Sequence, residues 1–211
     1  GKYITVLGSA NIDYFLKVER APLVGETISS SEIKILNGGK GFNTAMAVGR
    51  LGFNANFIGQ VGSDEHGPNV KKVLTENNVK SEDMNIVQGF PTGQAYIFSY
   101  PDGNNSIVIV GGANTAWDKN NLGFIDAALK KSSFLLLQRE INEEINVYAA
   151  KKAKELGVKV VLDVGGQDIP LGKDLLENVS IISPNESELT RLLKSPVNLN
   201  DESSIKDTCN T

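Results

Sequence analysis

Phe134-Leu135-Leu136-Leu137-Gln138-Arg139-Glu140, then Asn142-Glu143-Glu144 running on to Leu156-Gly157, then Val158-Lys159-Val160-Val161-Leu162: this stretch decides the fold. Four consecutive apolar residues make a buried strand. The segment 142–156 reads as a helix, with Glu143 and Glu144 at its positive end and Gly157 just past its last turn. Val158–Leu162 is a second buried strand. Strand, helix and strand in that order make a βαβ unit, hence a mainly parallel sheet. Working outward, Tyr3–Leu7, Asn56–Val61 and Ile181-Ile182 read as further strands of that sheet. Residues 40–51, 67–77, 118–131 and 186–194 read as helices, with a short one around Leu175-Leu176. The stretches 14–18 and 28–36 alternate apolar and polar residues. The stretches 95–100 and 106–110 flank Pro101-Asp102-Gly103-Asn104-Asn105, a hairpin signal. The strands at 14–18 and 28–36 read as exposed, one-faced and outside the parallel sheet, so they form a small β appendage. Ser195–Thr211, with Pro196 and Asp201-Glu202-Ser203-Ser204, reads as the start of another helix.

Composition removes several classes of function. The chain has 211 residues, 40% hydrophobic and 22% charged, enough for one sizeable domain and too ordered for a disordered chain. One cysteine, Cys209, excludes an internal disulfide framework and a Cys-rich zinc module. One histidine, His66, argues against a His-built metal site or a Ser-His-Asp triad. A net charge of −4 argues against nucleic acid as a partner. No apolar run reaches the ~18 residues of a membrane span, and a cytoplasmic setting is expected.

In open parallel sheets ligands bind beyond the carboxyl ends of the strands. The polar residues at those ends are Asn11 and Asp13 after the first strand, then Gln138, Arg139 and Glu140, then Asp163, and then Asn185 and Glu188. Carboxylates and amides gathered at one edge suit a polyhydroxylated ligand. Asp and Asn after strands are also ordinary turn formers, so both readings stand for each position. Asn37-Gly38-Gly39-Lys40-Gly41-Phe42-Asn43-Thr44-Ala45 runs into a helix. Its paired glycines allow a sharp turn and a close approach, and the helix start offers free N–H groups to hydroxyls or an anion. It is not a P-loop, which needs Ser or Thr directly after its Lys. A plain Gly-rich connection with Asn43 as N-cap is the alternative. Asn185 and Glu188 have capping-box spacing, and Glu188 also suits holding water around Mg2+.

Taken together, these residues resemble the ribokinase-like family of carbohydrate kinases. Gly8-Ser9-Ala10-Asn11-Ile12-Asp13 is similar to the family's opening sugar-binding segment. Gly38-Gly39-Lys40-Gly41-Phe42-Asn43, with Ala45, Ala47 and Arg50-Leu51-Gly52, matches its N-terminal signature. Gly59-Gln60-Val61-Gly62-Ser63-Asp64 with Gly67, Thr92-Gly93, Gln138-Arg139-Glu140 and Ser183-Pro184-Asn185-Glu186-Ser187-Glu188 match later segments. The likeness spans about residues 3–195. It implies a Rossmann-like three-layer α/β/α core with a β-sheet lid, its strands at about 14–36 and 92–110, through which a homodimer forms. It also implies transfer of the ATP γ-phosphate to a sugar hydroxyl, O5 in the ribose-specific members. Carried over by position, Asn11, Asp13, Gly39, Lys40, Asn43 and Glu140 would hold the sugar, with Ile97 of the lid packed on it. Asn185 and Glu188 would serve the phosphates of ATP, Glu188 holding Mg2+ through water.

The chain also departs from the family pattern. The family's catalytic aspartate lies in a Gly-Ala-Gly-Asp-like segment opening a late helix, where it serves as base beside an anion hole. No aspartate after Glu188 has that context. The base, the adenine pocket and the K+ loop are therefore expected beyond Thr211, in roughly 100 residues forming about three more βα units. The chain reads as the N-terminal two-thirds of such a kinase, inactive alone. A non-catalytic sugar-binding or dimerisation half-fold is one alternative, and a nucleoside or fructose kinase another. Asp163-Val164-Gly165-Gly166 stands where the family usually has Asn-Pro, and Phe42 is bulkier than the usual small residue.

Overall fold

The computed structural model describes residues 1–167 and 169–193. The expected helix beyond Ser195, Cys209 and the last residue of the 186–194 helix lie outside the described residues. The central sheet is parallel throughout, in the order β11-β10-β9-β1-β4-β5. Its strands are β1 (Tyr3–Leu7), β4 (Ala55–Gly62), β5 (Val79–Lys80), β9 (Ser132–Leu137), β10 (Lys159–Asp163) and β11 (Ile181–Ser183). A further strand, β6 (Met84–Val87), pairs with the second half of β4. The βαβ unit expected from residues 134–162 is present: α4 (Glu143–Glu155) joins β9 to β10, with Asn142 at its N-cap.

Alternate strand residues point to opposite faces, and this builds three layers. Val6 and Phe57 enter one core with Phe42, Ala45, Val70 and Leu74, from α1 (Lys40–Arg50) and α2 (His66–Glu76). Their neighbours Leu7 and Ile58 enter the opposite core with Leu135, Leu137 and Leu162. That second core is covered by α4, by α3 (Gly123–Leu129) and by Leu175 of α5 (Lys173–Leu176). The chain ends its described part with α6 (Glu186–Leu193). Among the described residues no helix is long and apolar enough to cross a membrane.

The appendage is a second sheet in the order β3-β2-β7-β8. Its strands are β2 (Asn11–Lys17), β3 (Glu32–Gly38), β7 (Gly93–Ser99) and β8 (Asn105–Val110). The hairpin at 101–105 closes with Tyr100 N donating to Asn104 O and Gly103 in the left-handed region at φ 85°. Three expectations are corrected. Asn11 and Asp13 are not loop residues after β1 but the start of β2, because Asn11 pairs with Gly38 on one side and Gly93 on the other. The stretch 28–36 is not one-faced: Glu32–Leu36 of β3 are all exposed, as is every residue of β8, and none of the described residues covers either face there. The helix expected at 118–131 is shorter. Asp118 instead makes a turn, accepting from Asn120 N through its side chain and from Asn121 N through its carbonyl.

Candidate functional site

The carboxyl ends of β1, β9, β10 and β11 lie along one edge of the central sheet, and the small sheet rises from the same edge. After β1 the chain turns at Gly8 and Ser9 into β2. Phe42 N donates to Ser9 O at 2.8 Å, which brings the start of α1 against this turn. Gly39 is the N-cap of α1, at φ 88°. A side chain there would be strained and would meet Asn11 N and Ser9 O, each 3.1 Å from its β-carbon. Asn43 is therefore not the N-cap. It lies inside the helix, three residues on from Lys40 and so on the same side, open to solvent.

Glu140 joins these pieces. Its Oε2 accepts from Lys40 N at 2.8 Å and from Ser9 Oγ at 2.6 Å. Ser9 Oγ in turn accepts from Gly41 N at 3.3 Å. The free N–H at the helix start is thus matched with a carboxylate before any ligand arrives. Asp13 lies over Gly38, whose β-carbon would fall 2.0 Å from Asp13 Oδ2, so the glycine makes room for the carboxylate. Burial pushes the Asp13 carboxyl above its ordinary value, and the charge of Glu140 pushes it further. The Asp13 and Glu140 carboxylates are thus near enough for charge to act between them. Asn11 is held by Asn114, whose Nδ2 donates to Asn11 Oδ1 at 2.7 Å, leaving the Asn11 amide N–H groups to point elsewhere. Ile97 is buried on the face of the small sheet that carries Asn11 and Asp13, in register with Phe15.

On the other side of Lys40 stands Asp163. Its Oδ2 is 3.5 Å from Lys40 Nζ, and its Oδ1 accepts from Gly165 N at 2.8 Å. At the start of α6 the capping box is formed: Glu188 N donates to Asn185 Oδ1 at 2.9 Å and Asn185 N to Glu188 Oε2 at 2.8 Å. Glu188 is buried, while Asn185 is exposed. The remaining Glu188 oxygen faces Gly165, where a β-carbon would stand 3.0 Å from it and 2.7 Å from Lys40 Nζ. One free carboxylate oxygen fits hydrogen bonding to the water shell of Mg2+, which gives up its waters reluctantly. Among the described residues no group of three or more metal-ligating side chains makes a direct cage.

The structure thus brings Asn11, Asp13, Gly39, Lys40 and Glu140 together, sets Ile97 on the same sheet face, and places Glu188 next to Lys40. Asn114 escaped sequence reasoning, and Ser9 and Arg139, though named there, have roles that it did not give. Ser9 orients Glu140. Asn114, in a 3-10 turn at Gly112–Thr115, clamps Ala10 N and O as well as Asn11. Arg139 is 1% exposed and forks onto Glu143 at 2.9 and 3.1 Å, donating also to Ile169 O and Pro170 O. It thereby ties the loop after β10 to the residue before Glu140. The only local signal for these was a polar residue beside a strand end.

The pfkB family carbohydrate kinase model matches residues 2–211. The chain belongs to this family. Within the pfkB family it is similar to a ribokinase of Arabidopsis thaliana, 41% identical over 196 residues, which are 92% of this chain and 52% of the relative. A ribokinase of Dictyostelium discoideum is 34% identical over 200 residues, 63% of its own length. The chain therefore spans between half and two-thirds of these relatives. The structure of Arabidopsis thaliana ribokinase complexed with ribose and ATP superposes with a TM-score of 0.90 at 38% identity, over all of this chain and 68% of that one. The α/β core and small sheet expected from the sequence agree with these pfkB neighbours.

Proposed function

We propose that this chain is the sugar-holding part of a ribokinase, which transfers the γ-phosphate of ATP to O5 of D-ribose. The observation that carries it is the convergence of Asp13, Glu140 and the Gly39-Lys40 helix start beyond the carboxyl ends of the strands. The ribose and ATP named for the Arabidopsis structure supply the ligand identities. Asp13 and Glu140 accept ribose hydroxyl protons, Asn11 and Lys40 donate, and Ile97 covers an apolar face of the sugar. Asn43 completes the set from the next turn of α1. Asn185 and Glu188 face the phosphates, Glu188 through water on Mg2+. When bound, Mg2+ would neutralise phosphate charge during transfer, and K+ is assigned to segments with no counterpart among these 211 residues. We assign the catalytic base to none of these residues, because no Gly-Ala-Gly-Asp-like segment occurs among them. A homodimer through the small sheet and a cytoplasmic location complete the proposal.

Titration calorimetry with ribose, paired with an ADP-release assay, tests it. The 211-residue chain is expected to bind ribose and to release no ADP. Asp13→Ala should weaken binding about 10- to 100-fold, since a buried charged hydrogen bond is worth about 1.5–3 kcal/mol. Unchanged affinity in a folded Asp13→Ala chain would reduce Asp13 to a structural residue. Ribose phosphorylation by this chain would overturn the assignment of the base elsewhere. Preference for a nucleoside or fructose over ribose would change the substrate.

A further inference from the structure

Asp163 is the last residue of β10, and its two carboxylate oxygens have separate partners. Oδ1 accepts from Gly165 N at 2.8 Å and shapes the turn, while Oδ2 stands 3.5 Å from Lys40 Nζ. The place of the Lys40 main chain is fixed by α1 and Glu140, but its long side chain is free to swing unless its end is anchored, and anchoring it costs rotamer entropy at each use. Gly165 lies at the meeting point of the Lys40 ammonium, Asp163 and Glu188, and only the missing β-carbon leaves room for all three. Glu188 already spends one oxygen on Asn185 N, and among the described residues Asp163 is the carboxylate within ion-pair distance of Lys40.

We propose that Asp163 is a positioning residue that parks the Lys40 ammonium at the mouth of the sugar site, ready to meet a sugar hydroxyl. This rests on the ribose-binding role given to Lys40 above. The turn alone does not require a charge. An asparagine would keep the acceptor for Gly165 N, so the negative charge is the part of Asp163 that acts on Lys40. The side chains of Lys40 and Asp163 are 38% and 44% exposed, so water and salt screen the pair and its effect is modest.

The test is ribose affinity by calorimetry in Asp163→Asn, Lys40→Met and the double variant. Asp163→Asn is expected to raise Kd about two- to fivefold, the range measured for exposed ion pairs. In the Lys40→Met background the same change should leave Kd unmoved. An equal loss in both backgrounds would make Asp163 a turn residue only, and no loss in either would also overturn the proposal. If Lys40→Met binds too weakly to titrate, salt decides. At about 1 M salt the Debye length is ~3 Å, so the wild-type Kd should rise to that of Asp163→Asn. A gap that persists at high salt overturns the charge role. Ribose binding without this coupling removes only Asp163 from the site, whereas a wild-type chain that ignores ribose removes the sugar site and this role together.

Discussion

Asp13 carries a cost that a purely structural carboxylate would not. Burial and the neighbouring Glu140 raise its native carboxyl above the ordinary value of 3.8. Between 3.8 and that raised value the native state holds more protons than the unfolded chain, so stability falls as pH rises through the interval. Above it the full penalty remains. Asp13→Asn should therefore raise the unfolding midpoint at pH 7, with the gain disappearing below pH 3.8, while ribose affinity drops about 10- to 100-fold. Thermal melts across pH, beside calorimetry, check both halves; a destabilised Asp13→Asn at neutral pH would contradict this account. Asp13, Lys40 and Glu140 were legible in the sequence because each lies beside a recognisable turn or helix start. Ser9 and Asn114 were not. Their partners are 131 and 104 residues away in the chain, and only folding shows that a serine and an amide hold Glu140 and the start of β2 in place.

Elements were legible in proportion to their burial and length. The four central strands β1, β4, β9 and β10 read clearly, because apolar runs on both faces leave few alternatives. β5 and β6, of two and four residues, escaped because such short pieces carry no measurable period. The capping box at Asn185 was visible from spacing alone. The clip between the two sheets was not. Asp64, after β4, accepts from Thr92 N and Thr92 Oγ1, each at 2.6 Å, just before β7 begins. Burial pushes the Asp64 carboxyl up, but the two hydrogen bonds from Thr92 and one from His66 N together hold it below its ordinary 3.8. Its contribution to stability is present above pH 3.8 and lost as pH falls toward the native value. Asp64→Asn should cost about 1.5–3 kcal/mol at pH 7, shrinking at lower pH, as denaturant titrations at several pH values would register. Arg139→Leu should cost about 3 kcal/mol, because Glu143 and two loop carbonyls lose their buried partner. Cooperative unfolding at the wild-type denaturant midpoint would rule that out.

At the scale of the whole molecule, the small sheet carries apolar side chains that the described residues leave uncovered. Ile33, Ile35, Leu36, Ile107, Val108 and Ile109 are each between 52% and 61% exposed. Clustered exposed apolar side chains mark an interaction face, and here they divide between the two faces of the sheet. The register sorts these side chains. Leu36 and Ile109 flank Asp13 through β3, β2, β7 and β8, and Ile107 aligns with Ile97 and Phe15. Val108, Val110, Ile33 and Ile35 point to the opposite face with Tyr14 and Tyr96. A second copy docked on the Ile107–Ile109 face would bury apolar surface and roof the sugar site in one step, which links the proposed homodimer to ligand binding. Light scattering after size exclusion should give about twice the 22.7 kDa of one chain. Ile107→Glu with Ile109→Glu should return it to a monomer and weaken ribose binding, since the roof leaves with the partner. Val108→Glu, on the other face, should leave both mass and affinity unchanged. A wild-type monomer at the concentrations used for calorimetry would overturn the dimer. A dimer broken by Val108→Glu but not by the Ile107 and Ile109 pair would move the interface to the face away from the sugar.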